Sequence, residues 1–255
     1  MAVRLVPGRI ARLVLDRPER RNALSLDVMR EMIGLLDNVG GDPAVRVLVI
    51  EGTGPAFSAG HDIAEMVEHR EAEFSRDLFA TCVAMMERLH ALPQPVIAKV
   101  HGIATAAGCQ LVAACDLAVA ASDARFATPG VKIGLFCSTP MVPVARSVGR
   151  KRALEMLFTG EMIDAATALE WGLVNRVVAP ERLDDEVVEL AEHIAQSSAA
   201  VLALGKRTFY AQDGRHEDDA YAITGPVMAE NALLDAAREG MQAFLDKRPP
   251  EWPEA

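Results

Sequence analysis

The chain lacks the marks of several protein classes. It has four cysteines, Cys82, Cys109, Cys115 and Cys137. None forms a C-x-x-C pair, and none has zinc-site spacing to a histidine, so neither a metal site nor a disulfide framework is expected. Cys109 and Cys115 lie in an apolar run, where a free cysteine behaves as a small hydrophobe. Free cysteines suit a reducing compartment, and the expected location is the cytoplasm. The opening stretch "MAVRLVPGRIARLVLDRPERR" has no apolar signal core. No window holds the roughly 18 uncharged apolar residues that a membrane span needs. Basic charge is also short: Lys and Arg number 26 against 36 Asp and Glu, a net charge of -10. That argues against nucleic acid as a partner, because binding a phosphate backbone needs clustered cations. A small phosphorylated ligand needs only a few local ones. Repeats, linkers and low-complexity segments are missing too.

What is present reads as an α/β chain. Hydrophobic residues make up 51% of the chain, enough for a sizeable core. "RIARLVL" reads as a strand ending before Pro18. The segment after it predicts a helix with Ser25 as N-cap, Asp27 near its positive end and Gly40-Gly41 closing it. Val28, Met32, Leu35 and Leu36 form its apolar stripe. "VRVLVIEG" (45–52), "PVIAKVHG" (95–102) and "LAVAAS" (117–122) are short buried strands, the pattern of a covered sheet. Strand signals then thin out, "LVNRVV" (173–178) being the last. A helix follows with Leu183, Val187, Leu190, Ala191 and Ile194 on one side. The C-terminal stretch is helical, with a break expected at Gly225-Pro226 and a stop at Pro249-Pro250.

Two loops are rich in small residues: "GPAFSAGHDIAEM" (54–66) and "GIATAAGCQL" (102–111). Small side chains let a ligand approach backbone N–H groups, and a helix start offers unpaired ones. Together they could hold one anionic oxygen. Tight packing alone also explains them, so both readings stay open.

"DRPERRNAL", "FSAGHDIAEM", "HGIATAAGCQLVAACDLAVAASDARFATPGVKIGL", "GRKRALEMLFTGEMIDAATALEWGLVNRVV" and "EGMQAFLDKRPP" occur in this order. On these motifs the chain resembles the enoyl-CoA hydratase/isomerase family, the crotonase superfamily, along nearly its whole length. The resemblance implies a crotonase (ClpP-like) spiral of ββα units over residues 1–195 and a helical C-terminal trimerisation region over 196–255. It implies a homotrimer or dimer of trimers that binds an acyl-CoA thioester. No cofactor is implied beyond the coenzyme A of the substrate. Carried over by position, the backbone N–H groups of His61 and Ala107 would hold the thioester oxygen. His61 stands in "AGHD" where the family often has "AGAD"; its ring is either an added acid/base or a packing group. Ala59, Asp62 and Ile63, with Arg20, Arg21 and Lys247, are the expected coenzyme A contacts. Arg248 is a further cation in the last motif.

In family hydratases a glutamate follows the Gly-Cys of the second motif, and another follows the proline of "F-x-x-P-E". Here those positions hold Gln110 and Gly130. An amide can donate and accept hydrogen bonds but cannot take a proton at neutral pH. A glycine supplies nothing, and it raises the question of a positive φ. Gln110 is thus either a ligand contact or an amide tying its helix to a neighbour. Cys137 falls in the segment expected to line the acyl pocket, but no basic residue near it in sequence would activate it. Glu65 and Glu161 read as solvated, Asp116 as a buried hydrogen-bonding group. This double loss resembles the enoyl-CoA hydratase domain-containing subgroup. The expected function is a lyase-type enzyme of acyl-CoA and fatty-acid metabolism that stabilises a thioester enolate, with inefficient hydration. A non-catalytic acyl-CoA-binding or assembly protein, or an isomerase or hydrolase with another base, stays open.

Overall fold

The apolar runs 47–52, 96–100 and 117–121 become adjacent strands. In the computed structural model, which describes residues 2–253, β1 (Val3–Val6), β2 (Ile10–Leu15), β3 (Val47–Gly52), β5 (Val96–Val100), β7 (Leu117–Ala121) and β10 (Arg176–Val178) form one six-stranded sheet in the order β1-β2-β3-β5-β7-β10. Only the β1–β2 pair is antiparallel. Alternation then sorts the side chains to two faces. Leu48, Ile50, Ala98 and Ala120 join the main core, while Val47, Val49, Ile97 and Val119 meet α8 (Leu183–Ala195) on the other side. The helical stripe read at Leu183, Val187, Leu190 and Ala191 is the buried one. Helix α1 (Leu26–Gly40) likewise buries Val28, Met32 and Leu36, and the Ser25 hydroxyl accepts from the Val28 N–H.

A second sheet, in the order β4-β6-β8-β9, comes from β4 (Ala56–Ser58), β6 (Ile103–Thr105), β8 (Arg125–Ala127) and β9 (Ile163–Asp164). The three middle turns of the spiral each give one strand to the large sheet, one to the small sheet, then helix. β3 and β4 precede α2 (Ile63–Glu68) and α3 (Ala72–Ala91); β5 and β6 precede α4 (Ala107–Ala114). β7 and β8 lead to α5 (Ser138–Val148) and α6 (Arg150–Thr159), and β9 to α7 (Ala165–Trp171). This is the crotonase-type α/β fold.

α8 ends at Ala195, and α9 (Ala199–Gln212), α10 (Glu217–Asn231) and α11 (Asp235–Asp246) follow. The outer ends of the two expected regions, residues 1 and 254–255, lie outside the described residues. Two expectations need correction. α10 runs through Pro226 without a break; Ala222, whose carbonyl loses its partner there, is exposed, so water can take that bond. The last strand covers 176–178, not 173–178. Leu173 instead closes α7 by donating to Ala168 O, and Asn175 pairs with Ala118 through its backbone N–H and its side-chain oxygen. No single helix among the described residues is long and apolar enough to cross a membrane.

Candidate functional site

The second sheet aims two loops at each other. After β4 the chain passes Ala59 and Gly60; after β6 it passes Ala106 into α4. Gly60 has φ +91°, and a Cβ added there would lie 2.8 Å from Thr105 O and 3.0 Å from Ala107 N. A Cβ on Gly108 would lie 2.2 Å from Ser58 O. Only glycine allows this approach. Ala106 has φ 50° and ψ -118°, an unfavourable geometry for a residue with a side chain. It sets the peptide that carries the Ala107 N–H. Leu24 donates to Gly60 O and accepts from the Asp62 N–H, which fixes the loop across His61. Among the described residues, neither the His61 nor the Ala107 N–H meets a protein acceptor.

Both residues line one cavity of about 580 Å³. Ala59, Ile63, Gly130 and Cys137 share its wall, so these sequence candidates do converge. Met66, Phe79 and the 133–136 segment make the wall apolar. Lys132 is its one charged lysine or arginine among the described residues, paired with Glu161 at 2.7 Å. Sequence reading missed Lys132. Its signal was a lone cation among apolar residues after Pro129.

The other candidates lie apart from this wall. Asp62 caps α2, accepting from Ala64 N at 3.2 Å, and faces Arg17 at 3.7 Å. Arg20 and Arg21 are exposed on the turn before Asn22, with no ion pair among the described residues. Asn22, also missed, is buried with φ 53° and donates to Thr53 O and Ala56 O at 2.9 and 2.8 Å. The "RRNAL" motif is therefore first a clamp on the β3–β4 turn. Lys247 ends α11 with φ 56°, away from the cavity wall. Arg248 forks onto Glu239 at 2.6 and 3.0 Å. Glu65 is not a solvated group as expected: its carboxylate accepts from the Leu26 N–H at 3.1 Å and caps α1.

His61 Nδ1 lies 3.4 Å from Leu24 O, and its ring meets Phe79 edge-on at 5.3 Å. Nε2 is buried without a partner. Burial pushes the imidazole pKa down, against a smaller upward effect of the Leu24 carbonyl. Burial therefore favours the neutral form of the ring, which packs against Phe79. Burial also holds the Cys137 thiol above its ordinary value, more than the Gly130 backbone lowers it. Gly130 has no positive φ. Its need for glycine is spatial: a Cβ would lie 2.8 Å from Leu135 O and 2.9 Å from Cys137 Sγ.

Gln110 is 3% exposed and does not line this cavity. It opens on a second one, of about 520 Å³, between α3, α4, α5 and α9. Thr139 lines both. In the wall of the second cavity, Asp116 accepts from Lys206 at 2.7 Å, from the Tyr210 hydroxyl at 2.7 Å and from the Val96 N–H at 2.7 Å. His90 stacks on Tyr210 at 3.9 Å. Asp116 is the hydrogen-bonding group expected, half-buried rather than fully buried. No cluster of three or more His, Cys, Asp or Glu able to hold a metal occurs among the described residues.

A spiral of two sheets, with one free N–H in the loop after β4 and another at the start of α4, defines the class of fold, and the comparisons agree. The family model for enoyl-CoA hydratase/isomerase matches residues 6–255, and the chain belongs to that family. It is 48% identical to enoyl-CoA hydratase domain-containing protein 3, mitochondrial, of Xenopus laevis, over 95% of this chain and 83% of that one. The Homo sapiens protein of that name is 46% identical over 95% and 80%. Among solved structures, an enoyl-CoA hydratase of Mycobacterium smegmatis superposes with a TM-score of 0.97, at 47% identity and 99% coverage of both chains. The human enoyl-CoA hydratase domain-containing protein 3 gives 0.96 at 44% identity, covering 99% and 100%. The cytoplasmic expectation is overturned here, since these curated relatives are named mitochondrial. Free cysteines report a redox environment, not an address.

Proposed function

We propose that the protein binds acyl-CoA thioesters and stabilises the thioester enolate through the His61 and Ala107 N–H groups. The observation that carries this is that two backbone donors without protein acceptors line one apolar cavity. Charge developing on the thioester oxygen would meet two fixed donors in a water-poor site, where such contacts are strong. The start of α4 adds its positive end. The exposed Arg20 and Arg21 suit the nucleotide phosphates, and Lys247 suits those of a neighbouring subunit. Apolar exposure at Met228, Leu233, Phe244 and Leu245 supports a trimer-based assembly.

No titratable carboxylate lines the cavity among the described residues. Hydration needs a group to activate water, and a well-placed one contributes about 10²–10⁴-fold. Crotonyl-CoA hydration by the wild-type chain is therefore expected to fall far below the typical range of about 1–10³ per second. Calorimetry with butyryl-CoA and with butyrate tests the binding claim, and turnover of crotonyl-CoA tests the chemistry. Tight binding of the thioester alone, with slow hydration, is the expected pair. Equal affinity for acid and thioester would overturn the reading. Brisk hydration would overturn the absence of an acid/base.

A further inference from the structure

The cavity with the His61 and Ala107 N–H groups has an entrance side. Ala59, in its wall, donates its N–H to Arg21 O at 2.9 Å, so the exposed Arg20-Arg21 turn lies on the Ala59 side. A thioester with its nucleotide at that turn, as proposed above, would enter past Ala59 and send its acyl chain on along the wall. That wall is apolar at Met66, Phe79, Leu135 and Phe136. A compact space of about 580 Å³ is roughly 10 Å across, and an extended chain advances about 1.2 Å per bond. The thioester takes part of that length, so a chain of more than about six carbons would outgrow the cavity.

Thr139 lines this cavity and the second one, so it marks where a longer chain would cross between them. The second space does not suit hydrocarbon. Glu87, His90, Asp116, Arg146 and Asp213 interrupt the apolar side chains of its wall. Arg146 faces Asp213 at 3.7 Å, with side chains 59% and 33% exposed, so both are hydrated charges. Gln110 adds an amide whose Oε1 accepts from the Cys82 thiol on α3 at 3.8 Å. A methylene laid against these groups strips their water and returns no hydrogen bond, which offsets what its own burial gains.

Resting on the acyl-thioester reading, we propose that the substrate class is short-chain acyl-CoA, up to about six carbons, and that the charged wall beyond Thr139 sets this limit. The first cavity rewards each methylene it covers, and the second does not. The two spaces, of about 580 and 520 Å³, thus divide by polarity and not by size. The specificity residues are then Glu87 on α3, Arg146 on α5 and Asp213 at the end of α9, none of which lines the cavity with the two donors.

Calorimetry on the full chain with acetyl-, butyryl-, hexanoyl- and decanoyl-CoA, below micelle-forming concentrations, tests this. One buried methylene is worth about fourfold in affinity. Wild-type affinity is expected to rise roughly tenfold for each two carbons up to hexanoyl-CoA, then to change less than about threefold on going to decanoyl-CoA. Arg146→Met with Asp213→Leu removes both partners of one ion pair. This variant should bind decanoyl-CoA at least about tenfold more tightly than the wild type does, with butyryl-CoA affinity unchanged. If it melts early, Glu87→Leu, at an exposed position of α3, should shift the series the same way. A wild-type series that keeps climbing to decanoyl-CoA would overturn the proposal and leave the acyl-thioester reading standing. A plateau that the variants leave in place would overturn it as well, because the limit would then lie elsewhere. Failure of all four ligands to bind would overturn the acyl-thioester reading, and this proposal with it.

Discussion

α4 and α10 are both helices, yet they do opposite things with their small residues. In α4, seven of eight residues are buried, and Gly108 is pressed against the Ser58 carbonyl. In α10, none of fifteen residues is buried in the single chain, and Gly225 has nothing within 4 Å of where a Cβ would stand. The same residue type is a geometric requirement in one place and a cost in helix entropy in the other. The spiral core therefore specifies the site, while the C-terminal helices present surface. α9, whose Lys206 reaches Asp116, is where the two regions are tied.

The sharpest way to break this contrast is Gly108→Val. With a Cβ 2.2 Å from a backbone oxygen, the β4–α4 contact must open. The expected loss is about 3 kcal/mol by urea denaturation, with thioester binding abolished. Unchanged stability would show that the two loops are not in contact as described.

Next in size is the effect of charge on the exposed C-terminal face. Phe244 is 82% exposed and Leu245 72% exposed. Phe244→Asp with Leu245→Asp should convert the assembly to monomer in light scattering while the core still shows cooperative melting. A wild-type chain that is already monomeric at micromolar concentration would remove the argument for a trimer.

A pH scan probes the core more gently. His61 and His90 are both held below the ordinary histidine value of 6.5, chiefly by burial. Below about pH 6.5 the unfolded chain takes up protons that the folded chain refuses, so stability falls as pH is lowered from there to the folded values. Melting temperature should decline between pH 7 and 5, and His61→Phe should make the decline shallower. An identical slope in the variant would show that the ring is not buried neutral.

The smallest effect belongs to α10. Gly225→Ala should stabilise the chain by about 0.5–1 kcal/mol, because an unobstructed helical glycine costs roughly that much relative to alanine. Destabilisation instead would mean that an assembled neighbour sits against this position.

Much of the fold was legible in the residues because the large-sheet strands and their covering helices carry strong periodic patterns. Val47–Ile50 and the stripe Leu183, Val187, Leu190 announce themselves. The second sheet did not. β4, β6 and β8 are three residues each and β9 is two, too short for any alternation to register, and β4 and β6 lie inside the two small-residue loops. The candidate site was half legible. His61, Ala107, Gly130 and Cys137 do share one cavity. Arg20, Arg21 and Lys247 carry no mark, in the chain or in its single-copy structure, that separates phosphate contact from plain surface.

The sequence by itself determined the family, and that neither Gln110 nor Gly130 can transfer a proton at neutral pH. It also set the small residues that let two loops meet. Only the tertiary structure decided what Gln110 and Gly130 do instead. Gln110 is oriented by a thiol 28 residues earlier in the chain, on another helix. Gly130 is compelled by Leu135 O and Cys137 Sγ folding back over it, not by its own φ. The physical reason is the range of the forces. Periodicity and capping act over a few residues, whereas the direction of a buried amide, or the room for a methyl group, depends on whichever distant segment is packed against it.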